Sequence, residues 1–137
     1  MKIVLDANIF ISALMGSRGK LTILTSQNHE FFAPSRIIDE IKKYKKDVCK
    51  KTGWSSEDFD AYFAALMFFV NTIEYPEYEK QLSAAQSTIG KRDSKDAVYL
   101  ACALAINADF IWTEDKDFSA QNLVQVKTTD EFIEDAK

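Results

Sequence analysis

The chain is poor in histidine and cysteine, and this scarcity removes several kinds of site. Its 137 residues include one histidine, His29, and two cysteines, Cys49 and Cys102. A single histidine excludes zinc sites built from several histidines, and it argues against a serine–histidine–aspartate triad. Two cysteines so far apart in the sequence argue against a disulfide framework, and they favour a reducing cytoplasm.

Proline, glycine and long apolar runs are also scarce. Two prolines and four glycines leave little material for linkers or disordered segments. The longest apolar run, residues 97–106, is too short to span a membrane. Met1 and Lys2 lead directly into an apolar strand, so no signal peptide is expected. We therefore expect residues 1–137 to form one cytoplasmic domain that does not interact with a membrane.

Basic residues are outnumbered by acidic ones. The chain has 17 lysines and arginines against 21 aspartates and glutamates, which gives a formal net charge of −4. Proteins that bind nucleic acid are usually basic, so this total argues mildly against that function. It does not exclude it, because a bound metal ion offsets the charge of carboxylates that gather around it.

What the N-terminal stretch does contain is an abrupt change from apolar to polar residues. Ile3, Val4 and Leu5 form an uncharged apolar run that ends in Asp6, with Asn8 two residues further on. This pattern predicts a buried strand whose carboxyl end carries polar groups out of the core. In open parallel sheets, ligands bind just outside such strand ends. Asp6 is therefore the first candidate site residue.

Strands and helices are predicted to alternate along the chain. Apolar runs predict strands at residues 1–5, 30–33, 70–74, 110–113 and 124–127, and helical patterns occupy most of the sequence between them. This alternation predicts an α/β fold with a mostly parallel sheet that is covered by helices on both faces.

Two helix starts carry specific signals. Ser35 follows Pro34 and is expected to cap a helix that continues to about Lys46 or beyond. Ser55 is expected to cap a second helix, with Asp58 completing a reciprocal capping box.

Four acidic residues far apart in the sequence are predicted to meet at one edge of the sheet. Asp6 and Asp115 each follow an apolar strand, and parallel strands end at the same edge. Glu40 and Asp96 each lie near the start of a helix, and a helix that follows a strand begins at that same edge.

Two further acids, Asp93 and Asp117, flank this set. Asp93 is suited to cap the helix that carries Asp96 in its first turn, where the helix dipole favours negative charge. Asp117 lies where turn-forming residues are common. For both, the sequence leaves open a structural role and membership of the acidic cluster.

Carboxylates gathered in this way need compensation. Two like charges about 4 Å apart repel by roughly 4 kcal/mol at an effective dielectric constant near 20. Either some of these groups are protonated or a cation binds among them. With no cysteine or histidine at hand, the ligands are all oxygen atoms, which selects Mg²⁺ or Mn²⁺. Such a site suits the hydrolysis of phosphodiesters.

A group of lysines follows Glu40 in the sequence: Lys42, Lys43, Lys45, Lys46, Lys50 and Lys51. One interpretation is a patch that attracts phosphates towards the acidic residues, with binding that weakens as salt is added. The other interpretation is an ordinary solvated helix face. The sequence leaves both open.

Together these stretches resemble the PIN domain family, over nearly the whole chain. The resemblance rests on Val4-Leu5-Asp6-Ala7-Asn8, on Ser35 followed by Asp39-Glu40, on Asp93-Ser94-Lys95-Asp96-Ala97, and on the segment from Ala108 to Phe118. The short length resembles the single-domain VapC-like toxins of toxin–antitoxin pairs. Ala7 departs from the threonine that many relatives carry at its position.

The resemblance implies a three-layer α/β/α sandwich, commonly a homodimer, that cleaves single-stranded RNA as a metal-dependent endoribonuclease. It implies that Mg²⁺ or Mn²⁺ binds to four catalytic acids, Asp6, Glu40, Asp96 and Asp115, with Asp117 and Asp93 as further metal-binding positions. Asn8 and Thr113 match polar positions that orient the acids, and Lys95 and Lys116 are candidates by position for contact with the substrate. The implied partners are RNA and an antitoxin protein.

Two other functions remain open from the sequence. A non-catalytic RNA- or protein-binding module on the same fold would not need the acids, so the intact acidic set disfavours it. A receiver-like phosphoacceptor would also gather acids at strand ends. It would need a lone aspartate after a middle strand, and the predicted strand at residues 30–33 ends without one.

Overall fold

A five-stranded sheet forms the centre of the molecule. The computed structural model describes residues 1–89 and 94–135. In chain order the strands are β1 (Lys2–Leu5), β2 (Glu30–Pro34), β3 (Val70–Ile73), β4 (Phe110–Trp112) and β5 (Val126–Lys127). They lie in the order β3-β2-β1-β4-β5, and every neighbouring pair is parallel. The prediction of an α/β fold with a parallel sheet is confirmed.

Strand β1 occupies the middle of the sheet and is buried on both faces. Ile3, Val4 and Leu5 have no solvent-accessible surface, which explains why the sequence shows a continuous apolar run there instead of alternation. The backbone N–H of Asp6 donates to the carbonyl oxygen of Trp112 at 3.0 Å. Pairing with β4 therefore continues to the residue at which the polar segment begins.

Helices cover both faces of the sheet. They are α1 (Ala7–Leu14), α2 (Arg18–Thr25), α3 (Ile37–Lys42), α4 (Lys45–Thr52), α5 (Ser56–Met67), α6 (Tyr75–Tyr78), α7 (Leu82–Ile89), α8 (Ser94–Ala105) and α9 (Thr129–Asp135). Helix α8 packs on β1, β2 and β4 together with α6 and α7, whereas α1 packs with α2, α3 and α5, and α5 contacts β3. Because crossovers between parallel strands are almost always right-handed, we infer that these two groups lie on opposite faces, which gives a three-layer α/β/α sandwich.

Helix α8 is the central helix of its layer. All residues from Asp96 to Ala103 are buried, as expected for a helix that is apolar almost all round. Burial raises the pKa of the Cys102 thiol to about 12, so this cysteine is a protonated core residue at neutral pH. Among the residues that the structure describes, no helix combines the length and the apolar character needed to cross a bilayer.

The predicted helix from Ser35 to about Lys46 is wrong in two respects. Ser35 is not the cap: the N-cap residue is Arg36, without a side-chain capping hydrogen bond, and the backbone N–H of Ser35 donates to the carbonyl oxygen of Ile73 at 3.0 Å, which continues the pairing of β2 with β3. The helix also divides: α3 ends at Lys42, and α4 begins at Lys45. The break leaves Lys43 and Tyr44 exposed between the two helices.

The start of α5 agrees with the sequence. The Ser55 hydroxyl accepts from the backbone N–H of Asp58 at 3.0 Å, and the Asp58 carboxylate accepts from the backbone N–H of Ser55 at 3.3 Å. This is the reciprocal capping box that the sequence predicted. Just before it, Gly53 ends α4 in the left-handed conformation, with a φ of +78°. Most residues rarely adopt that conformation.

Candidate metal centre

The strand order places a cleft at the carboxyl edge of the sheet. From β1 the chain moves outward to β2 and β3, then returns to β4 on the other side of β1. Open α/β sheets bind ligands at such a reversal, just beyond the carboxyl ends of the strands. Here lies a cleft of about 440 Å³ whose lining includes four carboxylates, those of Asp6, Glu40, Asp96 and Asp115. The structure thus brings together the four acids singled out from the sequence.

Asp6 is positioned by the end of β1 and the start of α1. It is only 8% exposed, and its Oδ2 accepts a hydrogen bond from the Thr113 hydroxyl at 2.8 Å. Burial raises the pKa of the Asp6 carboxyl, and the nearby negative charge of Asp115 raises it further. The Thr113 hydrogen bond and the backbone amides of Ala7 and Asn8 oppose this shift only in part.

Thr113 connects two of the acids. Its side chain is almost completely buried, at 1% exposure. While its hydroxyl donates to Asp6, the same oxygen accepts from the backbone N–H of Asp115 at 2.9 Å. One side chain therefore fixes both the Asp6 carboxylate and the backbone that carries Asp115.

Asn8, the other predicted orienting residue, lines the cleft with an exposed side chain. Its backbone N–H donates to the Asp6 carboxylate, but among the described residues no hydrogen bond joins its side chain to Asp6. Its orienting role stays a prediction.

Glu40 enters the cleft from α3 and is held on both sides. The Tyr99 hydroxyl donates to Glu40 Oε2 at 3.0 Å, and Arg36 Nε lies 3.3 Å from Glu40 Oε1. Burial, followed by the negative charge of Glu40, holds the pKa of Tyr99 well above its usual value, so its hydroxyl keeps its proton. Glu40 Oε1 is buried and accepts no hydrogen bond from residues 1–89 or 94–135, since the arginine approaches it without hydrogen-bond geometry.

A second grouping of carboxylates overlaps the first. One oxygen each from Asp96, Asp115 and Asp117 can be chosen so that all three lie within 4.8 Å of one another. Asp96 is buried in the first turn of α8, Asp115 is half-buried, and Asp117 is exposed. The backbone N–H of Asp117 donates to Asp115 Oδ1 at 2.9 Å. Asp117 therefore takes part in a turn and also lies with the acidic cluster, so the two interpretations left open by the sequence are compatible.

The remaining predicted positions differ from one another. Lys95 is exposed and lines the cleft. Lys116 is exposed in the short 3₁₀ segment Lys116–Ala120 and is not part of the cleft lining among the described residues. Asp93 lies outside the described residues.

The donors in the cleft fit a hard divalent cation. They are carboxylate oxygens from several separate parts of the chain, with no cysteine or histidine in the lining. Glu40 Oε1 is a buried acceptor that no hydrogen bond from the described residues satisfies, and such atoms are rare unless a cation or water completes them. Oxygen ligands in this number are those that hard divalent ions prefer.

Sequence reasoning missed the residues that hold Glu40. Tyr99 follows Asp96 by three positions on α8, and residues three apart share one face of a helix. That spacing could have placed Tyr99 beside the site. Arg36 precedes Glu40 by four positions and could have been found in the same way. Lys43 and Tyr44 also line the cleft, but the break between α3 and α4 that brings them there had no clear signal.

Comparison with known proteins shows the family to which this chain belongs. Among solved structures, a chain of VapBC2 from Rickettsia felis, crystallised bound to a DNA fragment from the promoter, is similar with a TM-score of 0.74. The two chains are 14% identical, and the similarity covers 93% of this chain and 98% of that one. No curated protein matches the sequence. The PIN domain pattern matches residues 4–136, nearly the whole chain. The chain belongs to the PIN domain family.

Proposed function

We propose that residues 1–137 form one nuclease domain, an endoribonuclease that cleaves RNA phosphodiester bonds with Mg²⁺ or Mn²⁺. The observation that carries this proposal is the convergence of Asp6, Glu40, Asp96 and Asp115 on one cleft, from four separate parts of the chain. Three of these acids are buried in the lining of that cleft, where their charges repel one another, and a bound cation would offset the repulsion. Membership of the PIN domain family supports RNA as the substrate.

The four acids would hold the cation, and Asp117 would join them through its place beside Asp96 and Asp115. When bound, a divalent ion lowers the pKa of a water molecule and neutralises charge on phosphoryl oxygens. Thr113 and Tyr99 hold the carboxylates of Asp6 and Glu40 in fixed orientations.

Lys95 lines the cleft, where its charge would attract a substrate phosphate. Asn8 is proposed to orient Asp6 once the site is loaded, and Lys116 to contact the substrate beyond the cleft. Asp93 is proposed as an outer acid of the same site.

We also propose that the protein is the cytoplasmic, homodimeric toxin of a toxin–antitoxin pair. The similar Rickettsia chain comes from a VapBC2 assembly. This chain has an apolar groove of about 420 Å³ between α1, α2 and α5, lined by residues that include Leu14, Leu21, Trp54, Tyr62, Leu66 and Phe69. A groove of this kind suits the apolar face of an antitoxin helix.

Cleavage of RNA with Mn²⁺ and with chelator tests the catalytic proposal. We expect wild-type protein to cleave only with the cation, and Asp96→Asn to lower the rate at least about 100-fold, since even residues that merely orient ligands cost 10–100-fold. Asp130→Asn, an exposed change in α9 with the same loss of charge, should leave the rate unaltered.

Retained cleavage by Asp96→Asn would dismiss the assignment of the site. Binding of RNA that survives both chelation and this substitution, without any cleavage by the wild type, would favour a non-catalytic module on the same fold.

A further inference from the structure

The lysines that follow Glu40 in the sequence lie beside the acidic cleft. A second cleft, of about 740 Å³, is lined by Lys42, Lys43, Lys45 and Lys46 together with residues of α4 and α5. Lys43 lines both this cleft and the acidic one. The basic surface is therefore continuous with the carboxylates, as a solvated helix face far from the site would not be.

The four lysines are not equivalent. Lys45 is half-buried, pairs with Asp60 at 2.8 Å and lies 5.5 Å from the ring centre of Phe59, so its charge is already compensated. Lys42, Lys43 and Lys46 are exposed, and none of them forms an ion pair with any residue in the ranges 1–89 and 94–135. We refer to Lys42, Lys43 and Lys46 as the lysine strip.

An aromatic ring lines the acidic cleft together with Lys43 of the lysine strip. Tyr44 occupies the break between α3 and α4, is 45% exposed and lines the acidic cleft. Free cations next to an exposed ring are the components with which proteins bind single-stranded nucleic acid, the cations at the phosphates and the ring against a base. Because the bases of a duplex are stacked on one another, the Tyr44 ring could stack only on a base of a single strand.

We propose that the lysine strip and Tyr44 bind single-stranded RNA next to the bond that lies at the acidic cleft. The lysines contact successive phosphates and Tyr44 stacks on one base. The inference rests on the proposed function, because it takes the acidic cleft as the place of cleavage. In a chain with a net charge of −4, such a localised basic strip also determines the direction in which RNA leaves the cleft.

Binding of a short labelled oligouridylate in chelator tests the strip without any need for cleavage. The variant K42Q/K43Q/K46Q should bind more weakly than wild type. The slope of the logarithm of affinity against the logarithm of salt concentration should fall by about 2, since each lost phosphate contact on a single strand removes about 0.7. The matched control K2Q/R18Q/K80Q removes the same charge from exposed basic residues outside the lysine group and should keep both affinity and slope.

Tyr44 is tested separately. Tyr44→Ala should weaken binding about 5- to 150-fold, the range that corresponds to the loss of one stacked base, whereas Tyr44→Phe should bind as the wild type does. A labelled duplex of the same length should be insensitive to Tyr44→Ala.

Equal losses in the two triple variants, or no loss in either, would overturn the proposal. The proposal would also be overturned if the strip variant lost binding to vesicles containing phosphatidylserine but bound the oligonucleotide as tightly as wild type does. If the strip variant alone loses RNA binding while the wild type cleaves nothing with Mn²⁺, the proposal that the strip binds RNA stands and the proposed nuclease function fails. Thermal melting of every variant shows whether a loss reflects unfolding.

Discussion

The hydroxyl of Thr113 donates to Asp6 Oδ2 at 2.8 Å, although 107 positions separate the two residues in the chain. The hydrogen bond crosses between the ends of β1 and β4, which are neighbours in the sheet. It links the first acid of the cleft to the segment that carries Asp115. A residue that binds no metal thereby controls the orientation of two that are proposed to do so.

Thr113→Val should weaken cation binding and slow cleavage by about 10–100-fold, the usual cost of removing a group that orients metal ligands. Valine keeps the shape of threonine but can neither donate to Asp6 nor accept from the backbone of Asp115. Titration calorimetry with Mn²⁺ and initial cleavage rates would measure the effect. Thr113→Ser keeps the hydroxyl and should retain most of both, so equal losses in the two variants would contradict the orienting role.

Without a cation, Asp6→Asn should raise the melting temperature at neutral pH. Burial raises the pKa of Asp6 above its ordinary value of 3.8, so ionising this carboxyl costs more in the folded protein than in the unfolded chain. The destabilisation sets in as the pH rises through 3.8 and is complete once the pH exceeds the raised folded-state pKa. Melting curves in chelator across this range should show the two proteins converging at acidic pH.

Adding Mn²⁺ should stabilise wild type far more than Asp6→Asn. A cation at about 100 times its Kd adds about 2.7 kcal/mol to the free energy of unfolding of a protein that binds it only when folded. A variant that is less stable than wild type in chelator at neutral pH would show that the charge of Asp6 does not destabilise the fold. A variant that gains as much stability from Mn²⁺ as wild type does would show that Asp6 is not a ligand.

Tyr99→Phe should lower the free energy of unfolding by about 1.5–3 kcal/mol, the range for a hydrogen bond to a charged group. It should also weaken Mn²⁺ binding about tenfold, because the Glu40 carboxylate loses the donor that orients it. Urea denaturation and calorimetry would measure the two effects. Tyr62→Phe removes a hydroxyl from an exposed ring on α5 and should change neither. Unaltered cation affinity in Tyr99→Phe would contradict the role assigned to this hydroxyl.

Two glycine substitutions should have opposite signs. Gly53→Ala should destabilise the protein by about 1–2 kcal/mol, because position 53 has a φ of +78° that a side chain disfavours. Gly19→Ala should stabilise it by up to about 1 kcal/mol, because position 19 lies within α2, where alanine is the better helix former. A Cβ at either position would meet no atom within 4 Å, so backbone conformation alone decides the sign. Chemical denaturation would report both, and equal signs would refute the explanation.

The parts of the fold that the sequence predicted are those fixed by local patterns. The apolar run before Asp6 and the Ser55–Asp58 capping box each act within a few residues, so their outcome could be seen directly in the sequence. The convergence of the acids followed from one rule about the ends of parallel strands.

What the sequence did not predict depends on distant contacts. Ser35 is a good helix cap by composition, yet its backbone pairs with Ile73 and the helix begins later. The hydrogen bond from Tyr99 to Glu40 joins α8 to α3, and the two residues are 59 positions apart in the chain. Neither could be derived without knowing which elements are neighbours in space.

The pairing of β1 with β4 has a consequence for synthesis of the protein. In a growing polypeptide, Asp6 is added 107 residues before Thr113, and Asp115 follows Thr113 by two positions. Until then β1 lacks its neighbour on that side, and no nascent fragment possesses a complete set of acids. If the protein is the toxin proposed here, a nascent chain that stops before Asp115 has no complete site with which to attack RNA.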